Sequence, residues 1–166
     1  YKRAIGLLEH TEWKENLTSV YYNMGASYVS VGEYEKGIDY LRVAQETYHM
    51  EDFMLQHKLA LADVRLQDYE KAQTYLSKMK NQLRELPYLR KADHLKYQEV
   101  CMEMEEGFQQ KPEYLTLMEE LVEAVERDYH VGHLVFYKDL AMETYCLHRK
   151  YKKALENVKM GKAPKI

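Results

Sequence analysis

The sequence predicts an all-α fold built from repeated helix pairs. Its 166 residues are 46% hydrophobic and 31% charged, with only seven Gly and three Pro. This composition can form a packed core and has too few chain breakers for an all-β fold. A short phrase, Tyr-x-basic-small, occurs four times along the chain. Because each unit is too short to bury its own apolar faces, the units are expected to stack side by side.

The Tyr-x-basic-small phrase is expected to open a helix. Its copies begin at Tyr1, Tyr34, Tyr69 and Tyr151. In each copy an apolar residue follows the small residue four positions later, which places both on one helical face. The interval between the last two copies is about twice the others, which predicts a degenerate copy near position 110.

A second helix is expected before each phrase. Gly25 and Ala60 stand nine residues before the next Tyr of the phrase, and Ala141 stands ten before it. Small residues on facing sides of two helices let their backbones approach closely, so each unit is predicted to be an antiparallel helix hairpin. The predicted elements of this single domain are a partial first repeat at 1–14 with a helix at 1–11, and hairpins at about 15–48, 51–82, 87–128 and 133–160.

The third hairpin departs from the pattern. Its first helix, about Tyr88 to Glu106, is predicted to be longer than its counterparts, and its phrase either survives as Gly107-Phe108 or is lost. The chain is strongly acidic from Glu99 to Asp128 and strongly basic from Arg149 to Ile166. Two explanations of this charge asymmetry stay open. The charges lie on solvated outer helix faces, or they form a contact surface for another domain or subunit.

Composition and motifs exclude several functional classes. A formal net charge of -3 does not favour a domain that grips nucleic acid, and no apolar run is long enough to cross a membrane. Two isolated Cys residues favour a reducing, cytoplasmic location over a disulfide framework. Asp128, His130 and His133 have only a weak metal-ligand spacing, and no phosphate loop or hydrolase motif occurs, so we expect no metal, no cofactor and no catalysis.

The first unit resembles the tetratricopeptide repeat (TPR) signature. It carries, in order, Met24-Gly25, Tyr28, Gly32, Tyr34, Gly37, Leu41 and Ala44. The second unit is more divergent, with Asp63 where an aromatic residue is usual. The resemblance implies a right-handed solenoid of stacked antiparallel helix hairpins, whose first helices line a concave groove. In TPR proteins an extended or helical peptide usually binds in that groove.

The signature assigns a stripe of groove residues to each first helix. An Asn side chain can pair with both the N–H and the C=O of a peptide, a cation can hold a carboxylate, and Met adapts to apolar side chains. An ordinary hydrated surface is the alternative. Four Tyr residues outside the packing positions, Tyr21, Tyr22, Tyr97 and Tyr137, are also expected on this groove. The predicted peptide-binding residues are Ser19, Tyr22, Asn23, Ser30, Met54, His57, Lys58, Arg65, Lys138 and Asp139.

A narrower resemblance is carried by Asn23. A Tyr-rich, divergent array with Asn in a Tyr-Asn-Met-Gly context on a first helix resembles the sensor domain of Gram-positive peptide-pheromone regulators. That group includes helix-turn-helix transcription factors and response-regulator phosphatases. The resemblance implies that Asn23 clamps the backbone of a short signal peptide and that a DNA-binding or phosphatase element precedes Tyr1.

The expected function is therefore a peptide- or protein-binding sensor module, the regulatory part of a bacterial transcriptional regulator. The expected partner is a short peptide or protein segment in the groove, with no nucleic acid contact from this segment and no membrane. A homodimer through the terminal repeats is compatible with this interpretation. Two alternatives stay open: a constitutive TPR scaffold, and part of a response-regulator phosphatase that lacks its catalytic region.

Overall fold

The computed structural model describes residues 2–4, 14–128, 131–150, 153 and 156. All regular secondary structure in these residues is helical, which confirms the predicted all-α class. None of the described helices combines the length and the apolar character that crossing a bilayer requires. The chain forms two compact units that divide between Glu85 and Leu86. The helix predicted at 1–11 and the second helix of the last hairpin lie largely outside the described residues.

The first unit contains two helix hairpins. Helix α1 spans Lys14–Ser30, and α2 spans Tyr34–Arg42 and continues as a π-helical turn at Val43–Thr47. Helix α3 spans Phe53–Arg65 and α4 spans Tyr69–Glu85. Helix α1 packs along α2 and α3 along α4, while α2 also packs against α3 and α1 touches α3. The second helices therefore begin at the Tyr of the phrase, as the repeat pattern predicts.

The same turn ends three of the described helices. The carbonyl of the third-from-last residue of the helix accepts a hydrogen bond from the backbone amide five residues later. This is the hydrogen bond of the Schellman motif. These bonds run from Glu33 to Tyr28 (2.9 Å), from Asp68 to Asp63 (2.8 Å) and from Lys150 to Tyr145 (2.7 Å). The residues with positive φ in the three turns are Gly32 (87°), Gln67 (61°) and Arg149 (58°). The next residue but one is in each case the Tyr of the phrase.

Small residues allow α1 and α2 to pack closely. A Cβ on Gly25 would lie 2.5 Å from Cγ of Leu41, and a Cβ on Gly37 would lie 2.6 Å from Cγ2 of Val29. In the second hairpin the corresponding residues, Ala60 and Ala72, are fully buried. The two positions that the sequence assigns to helix contact therefore lie inside the unit.

The second unit contains α5 at Lys91–Glu103, a 3-10 turn at Phe108–Gln110, α6 at Pro112–Arg127 and α7 at Val131–Leu147. Helix α6 packs against both α5 and α7 around an apolar core that includes Met118.

The prediction of a longer first helix in the third hairpin is wrong. Helices α5 and α3 each have 13 residues. The extra chain forms a connection at 104–111, in which Gly107 adopts a left-handed conformation with φ of 66° and starts the 3-10 turn. Helix α6 then begins at Pro112, where the missing amide proton costs no helical hydrogen bond. Gly107-Phe108 therefore opens a three-residue turn instead of the second helix.

Candidate functional site

Helix α3 is buried on nearly all sides. Of its thirteen residues, ten are buried, and only Met54, Lys58 and Arg65 reach the surface. Their spacings of four and seven residues place them along one line of the helix. All three belong to the stripe that the sequence assigns to ligand binding.

One predicted contact residue on α3 lies below the surface. His57 is 1% exposed, because the line of α3 beside Met54 and Lys58 turns into the unit. In this structure the imidazole is a buried group in contact with other parts of the protein and does not line the accessible face.

Helix α1 presents a second accessible line, which is short of charge. Ser19, Asn23 and Ser30 are exposed on it, and Tyr22 is half-buried. The Ser30 hydroxyl donates to the carbonyl of Ala26 at 2.9 Å, so its proton is used inside the helix. Asn23 places a side-chain amide, with one acceptor and two donors, at the surface in the middle of α1.

Helices α1 and α3 pack against one another, and interactions near both ends of α3 show its direction relative to α1. At the start of α3, Asp52 lies close enough to Tyr22 to disfavour ionisation of the Tyr22 hydroxyl. Burial together with this carboxylate raises the pKa of Tyr22 to about 12. At the other end, Arg65 lies over the ring of Tyr34, with 5.8 Å from Cζ to the ring centroid, and Nη1 donates to the Tyr34 hydroxyl at 3.5 Å. Since Tyr34 follows the end of α1, the two first helices run side by side in the same direction. We call their accessible lines the α1–α3 face.

Tyr21 does not belong to the α1–α3 face, although the sequence assigned it to the groove. Its ring packs 5.8 Å from that of Tyr48 and 6.1 Å from that of Tyr40, and Tyr40 stacks on Tyr28 at 5.4 Å. Lys36 lies over the Tyr28 ring with 5.7 Å from Nζ to the centroid. These rings form a continuous aromatic row between α1 and α2, which explains part of the high Tyr content by packing.

In the second hairpin a polar cluster replaces the Tyr28–Tyr40 stack. Asp63 takes the place of Tyr28 in the turn, and Tyr75 follows Tyr69 as Tyr40 follows Tyr34. Asp63 is 4% exposed, and its burial raises the pKa of its carboxyl group. Arg42 of α2 is hydrogen-bonded to Tyr75 of α4, and its charge opposes the rise in the pKa of Asp63 on α3, so polar groups occupy the place where the repeat pattern expects aromatic rings.

In the second unit, α7 carries the remaining predicted contact residues. Lys138 is half-buried and Asp139 is exposed, and the neighbouring Val135 is exposed as well. Tyr137 is only 3% exposed, which corrects the expectation that it lines a groove. Tyr97 is half-buried and hydrogen-bonded to Cys101.

A buried ionic cluster in the second unit was missed by sequence reasoning. Lys96 is 3% exposed and Glu99 is fully buried, and both belong to α5. Glu99 lies near Lys96 and also near Tyr137 of α7. Burial lowers the pKa of Lys96, against the opposing effect of Asp93, Glu99 and Asp128. Burial also raises the pKa of Tyr137 well above its ordinary value, and the nearby charge of Glu99 adds to the effect.

No group of three or more potential metal-ligating side chains occurs within the part of the chain that the structure describes. Three residues have a weak metal-ligand spacing in the sequence. Asp128 among them forms an ion pair with Arg90 at 3.2 Å, and the side chains of His130 and His133 lie outside the described residues. Neither Cys101 nor Cys146 forms a disulfide bond, and the two residues are half-buried and exposed respectively.

Comparison with known proteins identifies no family for this chain. No protein-family model matches it, and no curated protein or solved structure gives a significant match. The candidate function therefore depends on the geometry and chemistry of the residues themselves.

Proposed function

We propose that the chain is a TPR-like, right-handed solenoid of stacked antiparallel helix hairpins that binds a peptide or protein segment on its first helices. Three Schellman turns of one geometry, each two residues before the Tyr of the phrase, support a repeated unit. Close packing at Gly25 and Gly37 supports the helix contact that the TPR signature requires. Repeated hairpins that stack in one direction bring their first helices next to one another.

The carrying observation is the exposure pattern of α3. A helix buried on all sides except one line gives its few partly exposed side chains a fixed position, and here those side chains are Met54, Lys58 and Arg65. Helix α1, which packs against α3, carries Ser19 and Asn23 at exposed positions. Binding groups held on rigid helices lose little conformational freedom when a ligand arrives, which favours a recognition surface.

The chemistry of the α1–α3 face suits an extended peptide. The Asn23 amide can donate to a peptide carbonyl and accept from the amide next to it, which reads the backbone independently of sequence. Met54 can adapt to different apolar side chains, since its thioether chain is flexible and polarizable. Lys58 and Arg65 add positive charge along the same line.

As a biological role we propose the regulatory part of a cytoplasmic bacterial transcriptional regulator that senses a short peptide, as in quorum sensing. A ligand held by more than one hairpin favours one arrangement of the repeats, and that shift in population would reposition an attached domain or a dimer partner. In this role the segment itself has no catalytic activity, uses no cofactor and makes no direct contact with nucleic acid. The proposed contact of Lys138 and Asp139 with a peptide concerns the second unit by itself, where both lie on α7.

The test is affinity selection of a random hexapeptide library on the immobilised chain, followed by calorimetry with the enriched peptide. Replacing Asn23 by Ala should weaken binding by about 1–3 kcal/mol, because a peptide backbone group then loses its partner on a desolvated surface. Asn81→Ala, an exposed change on α4, is the matched control and should leave affinity unchanged. Failure to enrich any peptide, or an unchanged affinity of Asn23→Ala, would contradict the proposal.

A further inference from the structure

A cleft of about 510 Å³ borders the second half of α1. Met24, Tyr28 and Val31 supply its apolar wall, and Ser27 lies among them. Their spacings of three, four and seven residues place them along one line of α1, separate from the line that contains Asn23. Clefts of about 300–1,000 Å³ with mostly apolar walls are typical sites for small organic ligands. The size of this cleft therefore suits a small molecule.

Two cations form the rim of the cleft. Lys2 and Arg3 both line it, and both residues are exposed. Among the residues that the structure describes, no carboxylate forms an ion pair with either side chain, and no acidic residue lines the cleft. An apolar wall thus lies beside two adjacent positive charges. This combination is complementary to a molecule that has an apolar body and a negatively charged group.

The wall of the cleft is held in place by contacts within the first unit. The Tyr28 ring stacks on that of Tyr40 of α2, with 5.4 Å between the centroids and 13° between the planes. The Ser27 hydroxyl donates to the carbonyl of Asn23 at 2.8 Å, so its proton is used inside the helix. A wall that is formed in advance loses little conformational freedom when a ligand binds. The charged group of a ligand is then left to the two cations of the rim.

The second hairpin has no such opening at the corresponding positions. On α3 the counterparts of Met24 and Ser27 are Leu59 and Ala62, which are fully buried. On α1, in contrast, Ser27 is exposed. Val31 is 74% exposed, whereas its counterpart Leu66 is 36% exposed. The cleft is therefore a property of the first hairpin and does not follow from the repeat pattern alone.

We propose that this cleft binds a small amphipathic carboxylate, a molecule with a short apolar body and one acidic group. The body lies against Met24, Tyr28 and Val31, where contact removes apolar surface from water. The carboxylate lies at Lys2 and Arg3, which provide charge-assisted hydrogen bonds. The cleft shares no residue with the α1–α3 face, so this inference goes beyond the proposed peptide-binding function and does not depend on it.

The experiment is an NMR titration of the full chain with octanoate at low ionic strength, where charges are least screened. The methyl group of Met24 reports whether the apolar wall is occupied. Two further probes separate the contributions: octylammonium has the same tail with the opposite charge, and acetate has the charge without the tail. Octanoate should shift the Met24 signal saturably and bind about tenfold more tightly than octylammonium. Acetate should give no saturable shift.

Variants of the rim test the role of the two cations. Lys2→Gln and Arg3→Gln should each weaken octanoate binding roughly threefold, because each removes one exposed charge from the carboxylate. Arg3→Lys keeps the charge and should keep most of the affinity. Lys80→Gln, which removes an exposed cation from α4, is the matched control and should leave the affinity unchanged.

A variant of the wall tests the apolar contact. Val31→Asn changes a side chain that is mostly exposed, so the fold should be retained while octanoate affinity falls about tenfold. Leu66→Asn, the same change at the corresponding position after α3, is the control and should bind octanoate like the original chain.

Three outcomes would overturn the inference. Equal affinity for octanoate and octylammonium would show that the rim does not select a carboxylate. No saturable shift of Met24 would show that the cleft takes no such ligand, as when another part of the chain fills it. An octanoate affinity that survives Arg3→Gln and Val31→Asn unchanged would place the binding elsewhere. None of these outcomes bears on peptide binding by the α1–α3 face.

Discussion

Gly25 and Gly37 face each other so closely that a Cβ on Gly37 would lie 3.0 Å from the carbonyl oxygen of Gly25. The same Cβ would lie 3.1 Å from the backbone nitrogen of Val29. Backbone atoms of a packed helix cannot move aside as a flexible side chain can, so this contact fixes the distance between α1 and α2. The first of the repeated hairpins depends on it.

Gly37→Ala should destabilise the protein. Added volume at a closely packed contact costs about 1–3 kcal/mol, and the better helix propensity of Ala offsets at most about 1 kcal/mol. The free energy of unfolding in urea measures the difference. Ser27→Ala, an exposed change on α1, is the control and should be close to neutral. A Gly37→Ala variant as stable as the original would mean that the two helices do not pack as described.

The turn after α3 provides a change with the opposite sign. Gln67 adopts a φ of 61° at the position where helices commonly end with Gly. Gln67→Gly should raise the free energy of unfolding by about 1 kcal/mol, because Gly adopts this conformation without the Cβ clash. Gln98→Gly, in the interior of α5, should lower it by about the same amount. Equal signs for the two variants in urea unfolding would contradict the assigned turn.

Asp63 predicts a pH dependence of stability. Burial first, and then the charge of Asp68, raise the pKa of this carboxyl above its ordinary value, while Lys71 and Arg42 oppose them. The folded state therefore holds the proton more tightly, and the contribution of Asp63 to stability falls as pH rises from about 3.9 through the raised value. Asn at position 63 has no proton to lose, so the Asp63→Asn variant does not lose stability in this way as pH rises. Its free energy of unfolding relative to that of the original chain should therefore increase with pH across that window.

Urea unfolding from about pH 4 upwards measures this difference. Ser27→Ala, an exposed change on α1 that alters no titratable group, is the control and should show a constant difference over the same range. A difference for Asp63→Asn that stays flat or decreases with pH would show that the carboxyl is not held protonated by the fold.

The buried cluster of the second unit should show strong coupling. Lys96→Met and Glu99→Leu each leave a buried charge without one of its compensating groups, which typically costs about 3–5 kcal/mol. The double variant should cost clearly less than the two single changes added together. The exposed pair Arg127 and Glu123, 3.1 Å apart on α6, is the control and should show little coupling. Additive effects of Lys96→Met and Glu99→Leu in urea unfolding would refute the cluster.

Spacing along the chain was enough to predict the local features of the fold. Tyr34 and Tyr69 open second helices, and Gly25 faces Gly37. Helical periodicity predicts both features, because two helix backbones can approach closely only where small residues lie between them. The partly exposed line of Met54, Lys58 and Arg65 follows from the same periodicity. Their role in binding stays a prediction.

Features that depend on the partner of a residue were not predictable. Charged residues such as Lys96 and Glu99 are normally exposed, and the groups that surround them in the unit, including Tyr137 on α7, come from distant parts of the sequence. The third hairpin was misjudged because no copy of the phrase opens α6, whose start is set by Pro112. His57 has the spacing of a surface residue, yet it lies one step around the helix on the buried side.

The most direct test of peptide binding on the α1–α3 face is NMR mapping of the chain during titration with a selected hexapeptide. The account predicts that amide shifts concentrate at Ser19, Asn23, Lys58 and Arg65, together with a shift of the Met54 methyl group, while the exposed positions of α4 stay unchanged. Shifts that concentrate on α4 or on the aromatic row at Tyr40 and Tyr48, with Asn23 and Lys58 unaffected, would contradict it.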